Sequence, residues 1–207
     1  MGMHVVRQGE FLDLIAWRHG VAADQIWQHP ANEAVRAERG EGNVLHPGDV
    51  LFVPDAEQDR LPLRKGQTNA FLARIPTVQL RVRVTDENGP IAGEAFTVEG
   101  GDREPVNGST DGDGVAEFEA PMNSPDLVLR LPGRSRVFRV AVGHLDPVTE
   151  ESGVDARLRQ LGHLRPGDDP ERDRSEAVRS FQAQEGLEAT GETDDATRAA
   201  LLERHGS

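Results

Sequence analysis

Few residues in this chain are equipped for chemistry. His144-x-Asp146, with His163 and Asp168 further along, offers side-chain types that ligate zinc in hydrolases. A zinc site needs three ligands converging on one point, and the spacing shows no convergence. The alternative role of His144-Leu145-Asp146-Pro147 is to close a strand and turn the chain. Thr110-Asp111-Gly112-Asp113-Gly114 has the carboxylates and glycines of a calcium loop. Glu117 and Glu119, however, miss the position of its late bidentate carboxylate, so the run reads as a turn before a strand. There is no His-Glu-x-x-His, no Gly-x-Ser-x-Gly and no phosphate-cradling glycine loop. The lack of cysteine removes thiolate nucleophiles, thiolate metal sites and disulfides. The expectation is a non-catalytic protein with neither metal nor cofactor.

Recognition is better served than catalysis. Saccharide rings present apolar faces that stack on aromatic planes while nearby polar groups read hydroxyl and N-acetyl positions. Of the two tryptophans, Trp17 falls six residues after Phe11 and reads as core, whereas Trp27 stands at a helix end beside His29-Pro30 and could line a groove. His19, His46 and His205 are scattered and share no face.

Charge and hydropathy narrow the partners. Asp and Glu outnumber Lys and Arg by 36 to 23, and a surface at net charge -13 repels phosphate backbones and anionic lipid headgroups alike. Nucleic acid and membrane insertion are therefore excluded as expectations. Arg7, Glu10, Asp13 and Arg18 interrupt the first twenty residues, so no apolar export segment stands there, and no run of 18 apolar residues occurs elsewhere. Synthesis in the cytoplasm without a signal peptide is the expectation. Aromatics make up only 4% of the chain, which favours several small aliphatic cores over one large one.

The elements that must position these residues change period along the chain. A strand at His4–Val6, apolar positions Phe11, Leu12, Ile15 and Ala16 at helical spacing, a second helical stretch around Gln25–Trp27 and a strand at Val50–Val53 make a strand, helix, helix, strand unit over residues 1–54. Residues 55–75 are polar, carry Pro62 and Gly66, and read as a linker. From Val78 the period is two, with further alternating runs at Ala95–Val98, Val115–Phe118, Leu127–Leu131 and Val137–Val142, which predicts a small antiparallel β-sandwich over 76–146. Helical spacing returns in residues 147–207. There Val154, Leu158 and Leu161 share a face, as do Ala177, Val178 and Phe181, and Ala196, Ala199 and Ala200. Asp173 with Glu176 fits a helix start, and Thr193-Asp194-Asp195 fits another. The fold class is an α+β multidomain chain with a three-helix bundle at its end.

Two stretches carry family resemblances. Val5-Val6-Arg7-Gln8-Gly9-Glu10-Phe11-Leu12 with His19-Gly20-Val21, and Leu45-His46-Pro47-Gly48-Asp49-Val50-Leu51-Phe52-Val53-Pro54, resemble the opening and the end of a LysM domain, a βααβ fold. The resemblance implies binding of N-acetylglucosamine-containing peptidoglycan strands through the Gly9, Glu10, Phe11, Leu12 loop and the Trp27, His29, Pro30 turn. Phe11 sits where the family usually has Thr, and Ala31–Gly42 lengthens the second helical region. Leu158-x-x-Leu161-Gly162-His163, Ala177-Val178-Arg179-Ser180-Phe181-Gln182, Gly186-Leu187, Thr190-Gly191 and Ala196–Leu201 resemble the three-helix peptidoglycan-binding domain. In that stretch Asp155 replaces a usual Gln, and Asp168–Asp173 replaces the loop that normally carries an Asp-Gly-x-Phe-Gly-type sequence.

The middle segment, through its Thr110–Gly114 turn, is similar to transthyretin-like or carboxypeptidase-regulatory-like domains. The runs Ile26–Asn32 and Asn43–Val50 look like a LysM subgroup encoded near contractile injection systems, type VI secretion included. That resemblance implies an adaptor contacting spike or toxin proteins, delivered to the periplasm or outside by the secretion system.

Overall fold

The computed structural model describes residues 2–56, 64–70, 75–86, 88–100, 103–124, 126–165 and 170–205, a mixture of helices and small antiparallel sheets around three hydrophobic clusters. The first strand, β1 (Gly2–Val5), is followed by α1 (Leu12–His19), α2 (Ala23–Trp27), a 3-10 turn (Pro30–Asn32), α3 (Glu33–Arg39) and β2 (Val50–Val53), which pairs antiparallel with β1. Val6, Leu12, Ile15, Ala16, Ile26, Leu45, Leu51 and Val53 make their core. The single lengthened second helix expected from sequence is two helices instead. Pro30 has no amide to donate and its ring clashes with the preceding turn, so α2 ends at Trp27 and α3 restarts beyond the 3-10 turn. The buried Asn32 side chain ties this break to β2, donating to the carbonyls of Ile26 (2.7 Å) and Phe52 (2.9 Å) and accepting from the Phe52 amide (2.7 Å).

The strand-rich segment contains β3 (Thr77–Arg83), β4 (Thr85–Asp86), β5 (Gly89–Pro90), β6 (Ala95–Glu99), β7 (Val106–Ser109), β8 (Val115–Pro121), β9 (Asp126–Leu131) and β10 (Arg136–Ala141). A four-stranded sheet in the order β10-β9-β6-β7 faces the β3-β8 pair, and β4-β5 is a short hairpin in which Asp86 pairs with Gly89. Phe96, Val98, Leu127, Leu129 and Leu131 from one side meet Ala116, Phe118 and Ala120 from the other. Strand β7 was not legible in the sequence, because Val-Asn-Gly-Ser has no alternation. Its Gly108 is required by the neighbouring ring, since a Cβ there would stand 2.5 Å from Phe96 Cζ. The Thr110–Gly114 run is a turn. Asp111 Oδ1 accepts from the amides of Asp113 (2.9 Å) and Val115 (2.8 Å), and the buried Thr110 hydroxyl donates to the Ile91 carbonyl at 2.6 Å.

Helices α4 (Glu151–Gln160), α5 (Pro170–Gln184) and α6 (Asp195–His205) pack through Val154, Leu158, Leu164, Ala177, Val178, Phe181 and Leu201. Two details differ from the sequence reading. Helix α5 begins at Pro170, so Asp173 lies in its first turn rather than at its cap. On α6 the buried positions are Thr197 and Leu201, while Ala196 and Ala199 face solvent. The acidic start of α6 does cap the helix, since Asp194 Oδ1 accepts from both the amide (2.8 Å) and the hydroxyl (2.6 Å) of Thr197. Among the described residues, no helix is long and apolar enough to cross a membrane.

Candidate functional site

The Gly9–Leu12 loop, expected to be open to a glycan, is an internal interface. Phe11 is the N-cap residue of α1 in extended conformation, and its ring is buried with Leu14 in the same cluster as Phe96, Phe118 and Val142 of the strand-rich unit. A Thr at this position would have offered an oxygen to the first-turn amides, which Phe11 lacks. Those amides are served from elsewhere. Leu12 donates to the Gly42 carbonyl (3.1 Å) and Asp13 to Asn43 Oδ1 (3.4 Å), while Asn43 Nδ2 returns a bond to Asp13 (3.1 Å). Loops 9–13 and 42–43 are thereby laced together. Leu12 is buried, and a Cβ on Gly42 would meet Leu12 Cδ2 at 2.4 Å.

Gly9 is covered from the other side by His144, whose Nε2 lies 3.1 Å from where a Gly9 Cβ would be, and Gly143 approaches the Gly9 carbonyl so closely that its own Cβ would stand 2.6 Å away. Glu10 points into the first unit. Its carboxylate accepts from His4 Nε2 (2.8 Å), the Arg7 amide (3.0 Å) and Arg18. Burial pushes this carboxyl up, but His4, the Arg7 amide and Arg18 outweigh it and hold it below the ordinary carboxylate range. Gly9, Glu10, Phe11 and Leu12, expected to form a glycan-binding loop, are engaged in this structure in packing and ion pairs.

Trp27, His29 and Pro30 stay nearer the surface, at the break between α2 and α3. Trp27 is half-buried against the first core, and its carbonyl accepts from Arg36. The His29 ring stacks on Phe52 at 4.1 Å between centroids, with Nδ1 accepting from the Ala31 amide at 3.2 Å. Pro30 is exposed. A shallow hollow of about 330 Å³ lies instead beside Met3, His19, Val53 and Asp55, and none of the expected glycan-binding residues lines it.

The stretch Ala31–Gly42 also builds an interface. It forms α3, whose buried Arg39 clasps Asp49 with two bonds (3.0 and 2.9 Å) and reaches Glu150 (2.8 Å) and Thr149 (3.2 Å) just ahead of α4. The Asp49 bonds are the main influence holding the Arg39 guanidinium above its usual range, against the opposing effect of burial.

In the helical unit, Gln182 is buried and fully bonded. Its Nε2 donates to Thr190 Oγ1 (3.2 Å), the Glu192 carbonyl (3.0 Å) and Thr197 Oγ1 (2.9 Å), and its Oε1 accepts from the Gly191 amide (2.9 Å). One side chain therefore shapes the whole α5–α6 loop. Asp155 takes a forked pair from Arg174 of α5 (2.7 and 2.9 Å), which joins α4 to α5. Arg157 is buried at the start of the bundle, donating to the carbonyls of Asp146 (2.8 Å) and Gly153 (2.9 Å), and burial brings its guanidinium down to about 10. Residues 154–201, from the buried Val154 of α4 to the buried Leu201 of α6, match the model of the peptidoglycan binding domain family. This unit resembles a peptidoglycan binding domain. No curated protein and no solved structure matches the chain.

Among the described residues, the zinc-type side chains do not assemble. His144 packs on Gly9, and His163 bonds Ser180 Oγ at 3.0 Å and meets the Phe181 ring edge-on. Asp168 lies outside the described residues, with Asp169 and most of the 55–75 linker. Among the described residues, no group of three His, Asp or Glu side chains is placed to hold a metal ion.

Proposed function

We propose that this chain binds the N-acetylglucosamine-containing strands of peptidoglycan and makes or breaks no bond in them. The observation that carries the reading is the family match over residues 154–201, which spans all three helices of a unit whose α5–α6 loop is held in shape by Gln182. The first unit, LysM-like in its strand, helix and strand order, supplies a second contact through Trp27, His29 and Pro30. Two weak contacts on one repeating polymer act as one stronger attachment, because the second forms intramolecularly. At net charge -13 the affinity must come from short-range fit rather than long-range attraction.

A second reading is favoured by the covered Gly9–Leu12 loop: an adaptor in which wall-binding folds serve protein contacts, directed to spike or toxin proteins of a contractile injection system that also carries the chain out of the cytoplasm.

Purified sacculi separate the two. Retention of the intact chain on sacculi, falling about three- to tenfold for Trp27→Ala as expected for one lost ring contact of ~1 kcal/mol, supports glycan binding. A folded chain that stays in the supernatant and instead co-purifies with a spike or toxin protein supports the adaptor. Dye release from labelled wall would overturn both by revealing catalysis.

A further inference from the structure

Strand β10 is the outermost strand of the four-stranded sheet and pairs only with β9. Among the described residues, nothing hydrogen-bonds its far edge, so alternate N–H and C=O groups along Arg136–Ala141 form an open template for another strand. The opposite outer strand, β7, lies beside β8 of the facing pair.

Charge defines what this edge would accept. In a chain at net charge -13, residues 127–145 contain Arg130, Arg134, Arg136 and Arg139 and no Asp or Glu. Arg130 is paired with Glu99, and Arg134 with Asp86 and Glu94. Arg136 and Arg139 make no ion pair among the described residues, and Val137 between them is 55% exposed. The register places Val137 opposite Arg130, Arg139 opposite Val128 and Ala141 opposite Asp126 on the outer face, while Phe138 and Val140 sit opposite Leu129 and Leu127 on the core face, where they are only half-buried, and Arg136 begins that same face at its exposed end, opposite Leu131. A strand added to this edge would cover Phe138 and Val140 with its inward residues. Its outward residues would come to lie beside Arg139.

We propose that β10 is a docking edge for an extended segment of another protein in which apolar residues alternate with acidic ones. Main-chain bonds would supply the attachment and the arginines the choice of partner. A second copy of this chain is the wrong partner, because another β10 strand would bring two further arginines to this edge and no carboxylate to meet them. The inference does not depend on the glycan reading.

The probe is a fluorescent synthetic octapeptide of alternating Val and Glu, with a Val and Lys counterpart, titrated against the full chain by anisotropy and followed by amide hydrogen exchange. The expected result is at least tenfold preference for the Glu peptide, with slowed exchange confined to β10. Arg136→Glu combined with Arg139→Glu should reverse the preference, and the milder Arg136→Gln with Arg139→Gln should abolish it, each variant keeping the unfolding midpoint of the parent. Equal binding of both peptides, no binding of either, protection elsewhere than β10, or self-association of the chain through β10 would each overturn the proposal.

Discussion

Glu10 shows most directly how a residue chosen for one role serves another. Held by His4, the Arg7 amide and Arg18, its carboxyl titrates below its value in the unfolded chain. The unfolded state therefore binds more protons as pH falls, and the stability Glu10 contributes is present above about pH 4.5 and lost as pH drops through its folded value. Glu10→Gln is expected to lower stability at pH 7 by about 1.5–3 kcal/mol, the range for bonds to a charged group, and to flatten the acid limb of the stability profile in urea denaturation from pH 7 to 3. A parallel shift of the whole profile would remove Glu10 from the acid response. The LysM-like motif points to a glycan-binding role for the Gly9–Leu12 loop. Nothing in that motif reveals that Phe11 is covered, because Gly143 beside its ring and the cluster of Phe96 and Val142 that it joins lie some 85 to 130 positions away.

Among the elements, those with a clean period were legible and those shaped by a single contact were not. The alternation of β3, β8 and β9 and the helical spacing of α4 and α5 follow from faces that repeat along the chain. Strand β7 exists because Gly108 admits the Phe96 ring, and α3 is separate from α2 because of Pro30. Neither leaves a periodic trace. On α6, the spacing of Ala196 and Ala199 suggests the apolar face, whereas the buried positions are Thr197 and Leu201, the Thr197 hydroxyl being satisfied by Asp194 and Gln182. The α5–α6 loop depends on that same Gln182, so Gln182→Ala is expected to cost about 2–4 kcal/mol, through orphaned partners and a small cavity. Hydrogen exchange should quicken over residues 186–194 while α4 stays protected. Uniform loss across the helical unit would show that the side chain holds the bundle rather than the loop.

Across the molecule, the two departures from the LysM pattern have one effect. Phe11 carries the first unit into the strand-rich core, and α3 carries Arg39 to Glu150 at the entrance to the helical unit. A third tie runs from Arg83 of β3 to the Arg204 carbonyl of α6 (3.0 Å). Gly143→Val is therefore expected to loosen the first unit from the second. It would place a branched side chain at a positive φ of 74°, against the Gly9 carbonyl 2.6 Å away, and lower stability by about 2 kcal/mol or more. Limited proteolysis should then release the first unit early, whereas an unchanged digestion pattern would mean that Arg39 suffices to hold it.

The burial of Phe11 and Leu14 also bears on how this chain can be taken apart. A sequence that reads as beads on a string invites excision of residues 1–54 as a free-standing reagent. Cut there, the fragment would present both side chains to water on the same surface that normally meets Phe96 and Val142, and it would be sticky where an independent module is smooth. A piece that keeps Phe11 and Leu14 covered must extend through the strands as far as Val142. Shuffling this N-terminal unit onto other proteins would require reversing Phe11 first.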